Sequence, residues 1–139
     1  MAGFTLMELM VTIVIIGILA AVAMPAYADY VKRGRIPPAT AALSELRAKM
    51  EQHFQDNRSY AGACADKSAT EPPKNLADFD VACQIGADGN SFVLRAEGKG
   101  KMAGFTYRID EKNVRSTVTV PAGWTKSDEC WVTNRGGKC

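Results

Sequence analysis

A run of twenty almost entirely apolar residues near the N-terminus constrains this chain more than any other feature. The run extends from Leu9 to Ala28, and Thr12 is its only clearly polar member. As an α-helix it would be about 30 Å long, which matches the hydrocarbon core of a bilayer. A secretory signal peptide usually has an apolar core of only about 7–15 residues behind a basic flank. The simplest interpretation is therefore a single membrane-spanning helix.

The distribution of charged residues divides the chain into two regions of different composition. Up to residue 28 the only charged side chain is Glu8, and the other 31 charged side chains all lie from Asp29 onward. The later part carries 17 basic and 14 acidic residues, so it is nearly neutral and does not by itself indicate a nucleic-acid-binding protein. With 139 residues in total, the chain has room for one ordinary soluble domain after the apolar helix.

Two residues do not fit a plain membrane anchor. Glu8 places a carboxylate at the edge of the apolar run. A charge at the bilayer centre costs about 2.5–3.5 kcal/mol on insertion scales, and less near the interface. Pro25 removes a backbone donor and presses on the carbonyl of Ala21, so we expect a kink there, and Gly17 weakens the middle of the helix. Glu8 is accordingly a candidate functional residue.

The helix is expected to continue into the soluble part. Leu43, Leu46, Met50 and Phe54 recur at spacings of 3, 4 and 4, which places them on one helical face. Pro37-Pro38 should bend this helix or begin a new helical segment. Residues 61–90 contain several glycines and prolines without a sustained period, and we interpret them as a long loop.

The remaining sequence alternates with a period of two and predicts an antiparallel meander. The three expected strands are 91–97, 105–110 and 114–120. Their apolar faces should pack on the helix and give an α+β fold with one helix on one sheet. These faces comprise Phe92, Leu94 and Ala96 in the first strand, Phe105, Tyr107 and Ile109 in the second, and Val114, Val118 and Val120 in the third. Trp124 and Trp131 should close the edge of the core.

The cysteines indicate an oxidising compartment. There are four of them, without a C-x-x-C spacing that would suggest zinc or thioredoxin chemistry. Four cysteines allow three pairings, and pairing of sequence neighbours would close loops of roughly 20 and 10 residues, worth about 3 kcal/mol each in the loop-entropy model. We predict those pairs, Cys64–Cys83 and Cys130–Cys139. The alternative is four reduced, buried cysteines.

Catalytic motifs are absent from the sequence. No G-x-S-x-G, phosphate-binding loop or metal-ligand spacing occurs, and the single histidine, His53, has no second histidine or nearby cysteine. His53 is expected to be a half-exposed packing residue. We therefore expect neither an enzyme nor a cofactor or metal site.

The N-terminus resembles the class III signal of type IV pilins. The resemblance rests on the sequence GFTLME at residues 3–8, the apolar run after it and Pro25. In this family a prepilin peptidase cuts after the glycine and N-methylates the new first residue. The resemblance implies a cut between Gly3 and Phe4, methylation of Phe4, and a role in filament assembly for Phe4 and Glu8, in which Glu8 pairs with the Phe4 ammonium of a neighbouring subunit. Pro25 corresponds to the family's helix-kinking proline.

The resemblance extends over almost the whole chain, to PilE-type pilins of type IVa systems. It is carried by DYVKRGRIPPATAAL, MEQHFQDNRSY, GFTYRID and the Cys130-Trp131 pair with the terminal Cys139. It implies the type IV pilin fold, in which a long N-terminal helix with an apolar first half packs on an antiparallel β-meander and a disulfide closes the C-terminal loop. The implied regions are a leader at 1–3, a transmembrane and filament-core helix at 4–28, and a periplasmic or extracellular globular domain at 29–139.

A pilin would be a structural subunit of a type IV pilus. The resemblance implies as partners other pilin subunits, the prepilin peptidase and the inner membrane, which the chain would cross once before assembly into the extracellular fimbrium. Such fibres serve adhesion, twitching motility or DNA uptake, which leaves open a surface ligand or DNA as a further partner.

Two alternatives within the filament class remain open at this point. A type II secretion pseudopilin shares the N-terminus but generally lacks the disulfide-closed C-terminal region. A DNA-binding competence pilin would need a basic and aromatic patch, for which Lys126, Arg135 and Lys138 with Trp124 and Trp131 are candidates.

Overall fold

The computed structural model describes residues 3–139 and has an α+β architecture. Met1 and Ala2 of the expected leader lie outside the described residues. The elements in chain order are the helix α1 (Leu6–Asn57), the strands β1 (Phe79–Ile85) and β2 (Phe92–Gly98), a 3-10 turn (Gly100–Met102), and the strands β3 (Thr106–Asp110) and β4 (Arg115–Thr119). The chain divides into two compact units at Lys32 and Arg33, and each is described by itself.

The N-terminal unit is helical from its first turn. Thr5 caps the helix, because its hydroxyl accepts a hydrogen bond from the backbone N–H of Glu8 at 3.3 Å. Thr5 and Glu8 have the spacing of a capping box, which satisfies donors that a helix start otherwise leaves unpaired. Every large apolar side chain from Leu6 to Tyr30 is exposed. The hydroxyl of Thr12 donates to the carbonyls of Glu8 and Leu9, so the one polar residue of the apolar run is satisfied within the helix.

The helix α1 passes through all three of its prolines. The kink expected at Pro25 and the bend expected at Pro37-Pro38 stay predictions, and the alternative that a new helical segment begins at Pro37-Pro38 is wrong, because α1 runs unbroken from Leu6 to Asn57. Pro37 and Pro38 lie on the exposed side of the helix, and the carbonyls that lose a donor belong to exposed residues, Arg33 and Gly34, where water can reach them. Burial of the neighbouring side chains keeps this part of the chain helical.

The core of the C-terminal unit lies between α1 and the sheet. The buried stripe of the helix includes the predicted face and extends it toward the N-terminus, and it consists of Ile36, Ala39, Leu43, Leu46 and Met50, with Phe54 partly buried beside them. The facing residues of β2 and β3 are buried as predicted, and they are Phe92, Leu94, Ala96, Tyr107 and Ile109. The sheet is antiparallel in the order β1-β2-β3-β4.

The expected loop at residues 61–90 contains a strand. Strand β1 pairs with β2 from Phe79 opposite Gly98 to Ile85 opposite Phe92, so the sheet has four strands rather than three. The sequence FDVACQI alternates larger apolar residues with smaller or polar ones, which is a period-two pattern. The pattern is only seven residues long and is surrounded by glycines and prolines, so the segment was interpreted as part of a loop.

Only part of the predicted apolar face at residues 114–120 is buried: Val120 packs against the core, but the other two valines do not. Val114 and Val118 are 46% and 40% exposed, and Ser116 and Thr117 are buried in their place. The cause is a β-bulge, because Thr106 pairs with Thr119 while the next residue of β3, Tyr107, pairs with Thr117. Val118 is the extra residue, and the bulge places Thr117 opposite the buried Tyr107.

Candidate assembly site

The start of α1 presents a carboxylate at the end of an exposed apolar helix. Glu8 lies in the first helical turn, where the helix dipole favours negative charge. Gly3, Phe4 and Glu8 are exposed, and the Phe4 side chain is 81% exposed. The bond between Gly3 and Phe4 precedes the capping residue Thr5, so it lies outside the helix. The backbone at this bond is therefore not part of the helix.

Within residues 3–139, α1 is the single helix that is long and apolar enough to cross a membrane, judged by its length and composition. Its most apolar stretch is not buried against any other part of the described chain. Such a surface requires either lipid or other apolar helices around it.

Two disulfides join sequence neighbours, as predicted. Cys64 is bonded to Cys83, which ties the segment after α1 to strand β1. Cys130 is bonded to Cys139 and closes the C-terminal loop. All four cysteines are thus paired.

The buried hydroxyl of Thr117 positions the start of the C-terminal loop. It donates to the carbonyl of Cys130 at 2.8 Å and accepts from the backbone N–H of Val132 at 2.8 Å. The N–H of Thr117 donates to the carbonyl of Ser127 at 2.7 Å. Three hydrogen bonds of Thr117 therefore attach residues 127–132 to β4. Thr117 faces the core because of the bulge.

Aromatic side chains attach the same segment to β3. The hydroxyl of Tyr107 donates to the carbonyl of Val132 at 2.9 Å, and the indole N–H of Trp131 donates to the carbonyl of Arg108 at 2.8 Å. Burial raises the pKa of Tyr107 well above its usual value, so this donor stays protonated at any physiological pH. The guanidinium of Arg115 covers the Trp131 ring at 4.9 Å.

The tip of the C-terminal loop turns at Gly137, the second of the adjacent glycines Gly136 and Gly137. Gly137 has a φ of +72°, a conformation that favours glycine, and a side chain there would lie 3.2 Å from the Cβ of Thr125. The N–H of Thr125 donates to the carbonyl of Arg135 at 3.1 Å, and that of Thr133 to the carbonyl of Lys138 at 2.9 Å. Backbone hydrogen bonds thus order the tip as well.

The candidate basic and aromatic patch is only half present. Lys126, Arg135 and Lys138 are exposed, but Trp124 and Trp131 are 7% and 9% exposed. Trp124 packs edge-on against Phe105, with ring centroids 4.8 Å apart. The tryptophans belong to the core, as predicted from their position after the last strand, and they are not free to stack on bases.

The single histidine is a partly exposed packing residue. Its Nε2 lies 3.3 Å from the carbonyl oxygen of Ala61. Among residues 3–139, no group of three or more histidine, cysteine or acidic side chains is placed to hold a metal ion.

Comparison with known proteins places these features in one family. The family model described as the prokaryotic N-terminal methylation motif matches residues 1–24. The model described as the type IV minor pilin ComP, DNA uptake sequence receptor, matches residues 25–106. The two matches are adjacent and divide the chain just before Pro25.

Individual relatives agree with the family models. A fimbrial protein of Moraxella nonliquefaciens is 46% identical over 130 residues, which are 91% of this chain and 78% of the relative. The type IV major pilin PilE1 of Neisseria gonorrhoeae is 34% identical over 132 residues, 91% of this chain and 73% of the relative. A type IV pilin structure from Shewanella oneidensis has the same fold, with a TM-score of 0.51 at 24% identity, covering 72% of this chain and 97% of that one.

The chain belongs to the type IV pilins. It is a structural subunit of a type IV pilus, it assembles with other pilin subunits, and its apolar N-terminal helix is the part that anchors and polymerises.

The role of Thr117 was not recognised from the sequence, because a threonine in the run STVTV gives no sign of which residue a bulge will turn inward.

Removing the Thr117 hydroxyl should loosen the C-terminal loop. Thr117→Val keeps the volume but leaves the carbonyl of Cys130 and the N–H of Val132 without their partner, so we expect a loss of about 1–3 kcal/mol in the free energy of unfolding. Thr117→Ser keeps the hydroxyl and should lose less. Denaturant unfolding of the detergent-solubilised chain measures both. Equal stability of Thr117→Val and the wild type would contradict this role.

Proposed function

We propose that the chain is made as a prepilin, cut between Gly3 and Phe4 and N-methylated at Phe4. The match of the N-terminal methylation motif to residues 1–24 and the exposed position of this bond before α1 support the proposal. Residues 1–3 are then the leader, residues 4–28 the transmembrane and filament-core helix, and residues 29–139 the globular domain.

Processing can be tested on filaments. Mass spectrometry of protein sheared from cells that carry the cognate peptidase should find N-methyl-phenylalanine, derived from Phe4, as the first residue. Assembled subunits that still begin with residues before Phe4 would contradict the proposal.

Before assembly the subunit crosses the inner membrane once, with the globular domain on the periplasmic side. The exposed apolar surface from Leu6 to Tyr30 supports this location, and so do the two disulfides, which need an oxidising compartment. In this proposal the protein has no catalytic activity, and its function is to polymerise into the extracellular fibre.

The observation that carries the mechanism is a single exposed carboxylate in the first turn of a helix whose first half, up to Ala28, is otherwise uncharged. Cleavage before Phe4 creates an ammonium group, and Glu8 of an incoming subunit pairs with the Phe4 ammonium of a neighbour. Two such charges 4 Å apart attract by about 4 kcal/mol at an effective dielectric constant of 20. A slipped subunit would leave one charge buried without a partner, which is strongly unfavourable. The pair therefore defines the register of the helices.

Glu8 also occupies the third helical position after the capping residue Thr5, where a glutamate suits the helix start, and this local role must be separated from the ion pair. Glutamine serves a capping box as well as glutamate does, but it carries no charge. Glu8→Gln therefore keeps the helix start and removes only the charge, whereas Glu8→Ala removes both.

We expect both Glu8→Ala and Glu8→Gln to enter filaments poorly, because each would leave the neighbour's ammonium uncompensated. Thr12→Val is the matched control, since it also removes a polar group from the same helix but no charge, and it should assemble normally. The measurement is the ratio of subunit in sheared filaments to subunit in membranes. Normal assembly of Glu8→Gln would eliminate the ion pair and leave the family unaffected.

A second candidate function is DNA binding by the assembled pilus. It is supported by the match of residues 25–106 to a family described as a DNA uptake sequence receptor, and by the exposed Lys126 and Lys138 near the C-terminal loop. Because the nearby tryptophans are buried, binding would depend on phosphate contacts and would be sensitive to salt.

Removal of both lysines tests this candidate. Binding of labelled duplex DNA to sheared filaments should weaken with salt. Lys126→Gln with Lys138→Gln should reduce the magnitude of the slope of log K against log salt by about 1 for each phosphate that a lysine no longer neutralises. Lys67→Gln, at an exposed position outside the C-terminal loop, is the control. An unchanged slope in the double variant would exclude these lysines.

A further inference from the structure

We propose that the Cys130–Cys139 disulfide is a site of thiol–disulfide exchange, at which a small, negatively charged thiol becomes attached to Cys139. The incoming thiolate displaces Cys130, which leaves as a thiolate beside the hydroxyl of Ser127. The Cys64–Cys83 disulfide of the same chain resists this exchange and provides an internal reference. The reactivity belongs to the globular unit alone and does not depend on processing or assembly.

The two cysteines of the C-terminal disulfide differ in exposure. Cys139 is exposed, whereas Cys130 is partly buried. Cys130 also lies in the segment 127–132, where its carbonyl accepts the hydrogen bond from the Thr117 hydroxyl. Exchange begins with attack of a thiolate on one of the two sulfurs, and access is one of the factors that decide which sulfur is attacked. Exposure therefore favours attack on Cys139.

The charges beside the two cysteines select the same sulfur. Lys138, which is exposed, immediately precedes Cys139. Two exposed acidic residues, Asp128 and Glu129, immediately precede Cys130. A negatively charged thiolate is attracted toward the first cysteine of attack, Cys139, and repelled from Cys130, and salt weakens both effects at a protein surface. An anionic thiol is accordingly the class of reagent that the site favours.

The hydroxyl of Ser127 is placed to stabilise the leaving group. Its oxygen lies 3.4 Å from the Sγ of Cys130, and it accepts a hydrogen bond from the backbone N–H of Glu129 at 3.3 Å. A sulfur in a disulfide has no hydrogen, so Ser127 is the donor in its contact with Cys130. Hydrogen bonds to an ionised acceptor are stronger than those to a neutral one, so this contact strengthens as Cys130 becomes a thiolate.

The reaction is an exchange and requires only the incoming thiol. Its thiolate forms a bond to the Sγ of Cys139 while the bond between the sulfurs of Cys139 and Cys130 breaks. Cys130 keeps the electron pair of the broken bond and is then protonated by water. The products are a mixed disulfide at Cys139 and a free thiol at Cys130. Because hydrogen bonds hold the segment 127–132 on the sheet, the Cys130 thiol stays in place to reverse the reaction.

The Cys64–Cys83 disulfide lies in a different environment. Both cysteines are partly buried and pack against the core. The Sγ of Cys64 lies 3.8 Å from the Sδ of Met50, which is fully buried. Cys83 belongs to β1 and pairs with the buried Leu94 of β2. Neither cysteine is exposed as Cys139 is, so exchange at this bond requires the unit to open first.

Peptide mapping after a short exchange tests the site. The full-length, detergent-solubilised chain is incubated with mercaptoethanesulfonate, an anionic thiol, and free thiols are then blocked with N-ethylmaleimide. Digestion with pepsin at acidic pH prevents further exchange before mass spectrometry. We expect mercaptoethanesulfonate on Cys139, maleimide on Cys130 and an intact Cys64–Cys83 bond. Mercaptoethanesulfonate on Cys130 instead, equal reaction of the two disulfides, or reaction of neither would overturn the proposal.

Substitution of Lys138 tests the selection by charge. The measurement is the ratio of the exchange rate with mercaptoethanesulfonate to that with the uncharged mercaptoethanol. Lys138→Gln should lower this ratio by up to about fivefold, the effect of one unit charge about 4 Å away in water. A change in the loop structure alone would alter both rates together and leave the ratio as it was. An unchanged ratio would refute the selection by charge.

Substitution of Ser127 tests the stabilisation of the leaving group. Ser127→Ala should slow exchange with both thiols by about tenfold, because the leaving thiolate loses its hydrogen-bond donor. Ser127→Thr keeps the hydroxyl and should stay close to the wild type. A merely structural role of Ser127 predicts the opposite direction, since loosening of the segment 127–132 would expose the disulfide and speed its exchange. Faster or unchanged exchange in Ser127→Ala would therefore refute this role.

Discussion

One continuous helix must satisfy two different environments, and the rest of the structure depends on this constraint. From Leu6 to Tyr30 its large apolar side chains are exposed on all sides, whereas from Ile36 onward a single stripe is buried against the sheet. A helix that is apolar all round needs lipid or other helices, and an amphipathic helix needs a partner layer. The first requirement directs the chain to a membrane and then to a fibre, and the second builds the globular unit that the fibre displays.

The C-terminal loop shows how a small local irregularity organises a larger segment. The bulge at Val118 turns Thr117 toward the core, and its hydroxyl bonds the backbone on both sides of Trp131. Tyr107 in β3 donates to the carbonyl of Val132, and Trp131 donates to the carbonyl of Arg108 in β3. Residues 127–132 are therefore attached to the sheet independently of the disulfide. The Cys130–Cys139 bond then has the narrower role of closing the loop tip, where Gly137 makes the turn. The same bulge leaves two valines at the surface.

Much of the fold could be predicted because its signals are periodic. The helical stripe through Leu43, Leu46 and Met50 and the alternation in β2 and β3 identified buried faces correctly, since burial on one face is what creates such periods. Strand β1 was missed because its period-two pattern is only seven residues long and lies between turn-forming segments. Val120 packs against the core as predicted, but Val114 and Val118 were placed on the wrong face, because the one residue inserted at the bulge reverses the alternation between its two sides. The prediction that the two tryptophans close the core is confirmed, and the hypothesis that they contribute to a nucleic-acid-binding surface is wrong, because both are buried.

The sequence by itself determined the class of this protein. The apolar run, Glu8, the Gly3-Phe4 bond and the spacing of the cysteines are local features of the chain, and their chemistry can be read without knowing what lies nearby. Only the tertiary structure decided that β4 is bulged, that Thr117 holds the C-terminal loop, and that Val114 and Val118 remain exposed. These properties depend on strand register and on contacts between residues far apart in sequence. A shift of one residue in pairing costs little in local propensity but changes which side chains are buried and which remain for a partner.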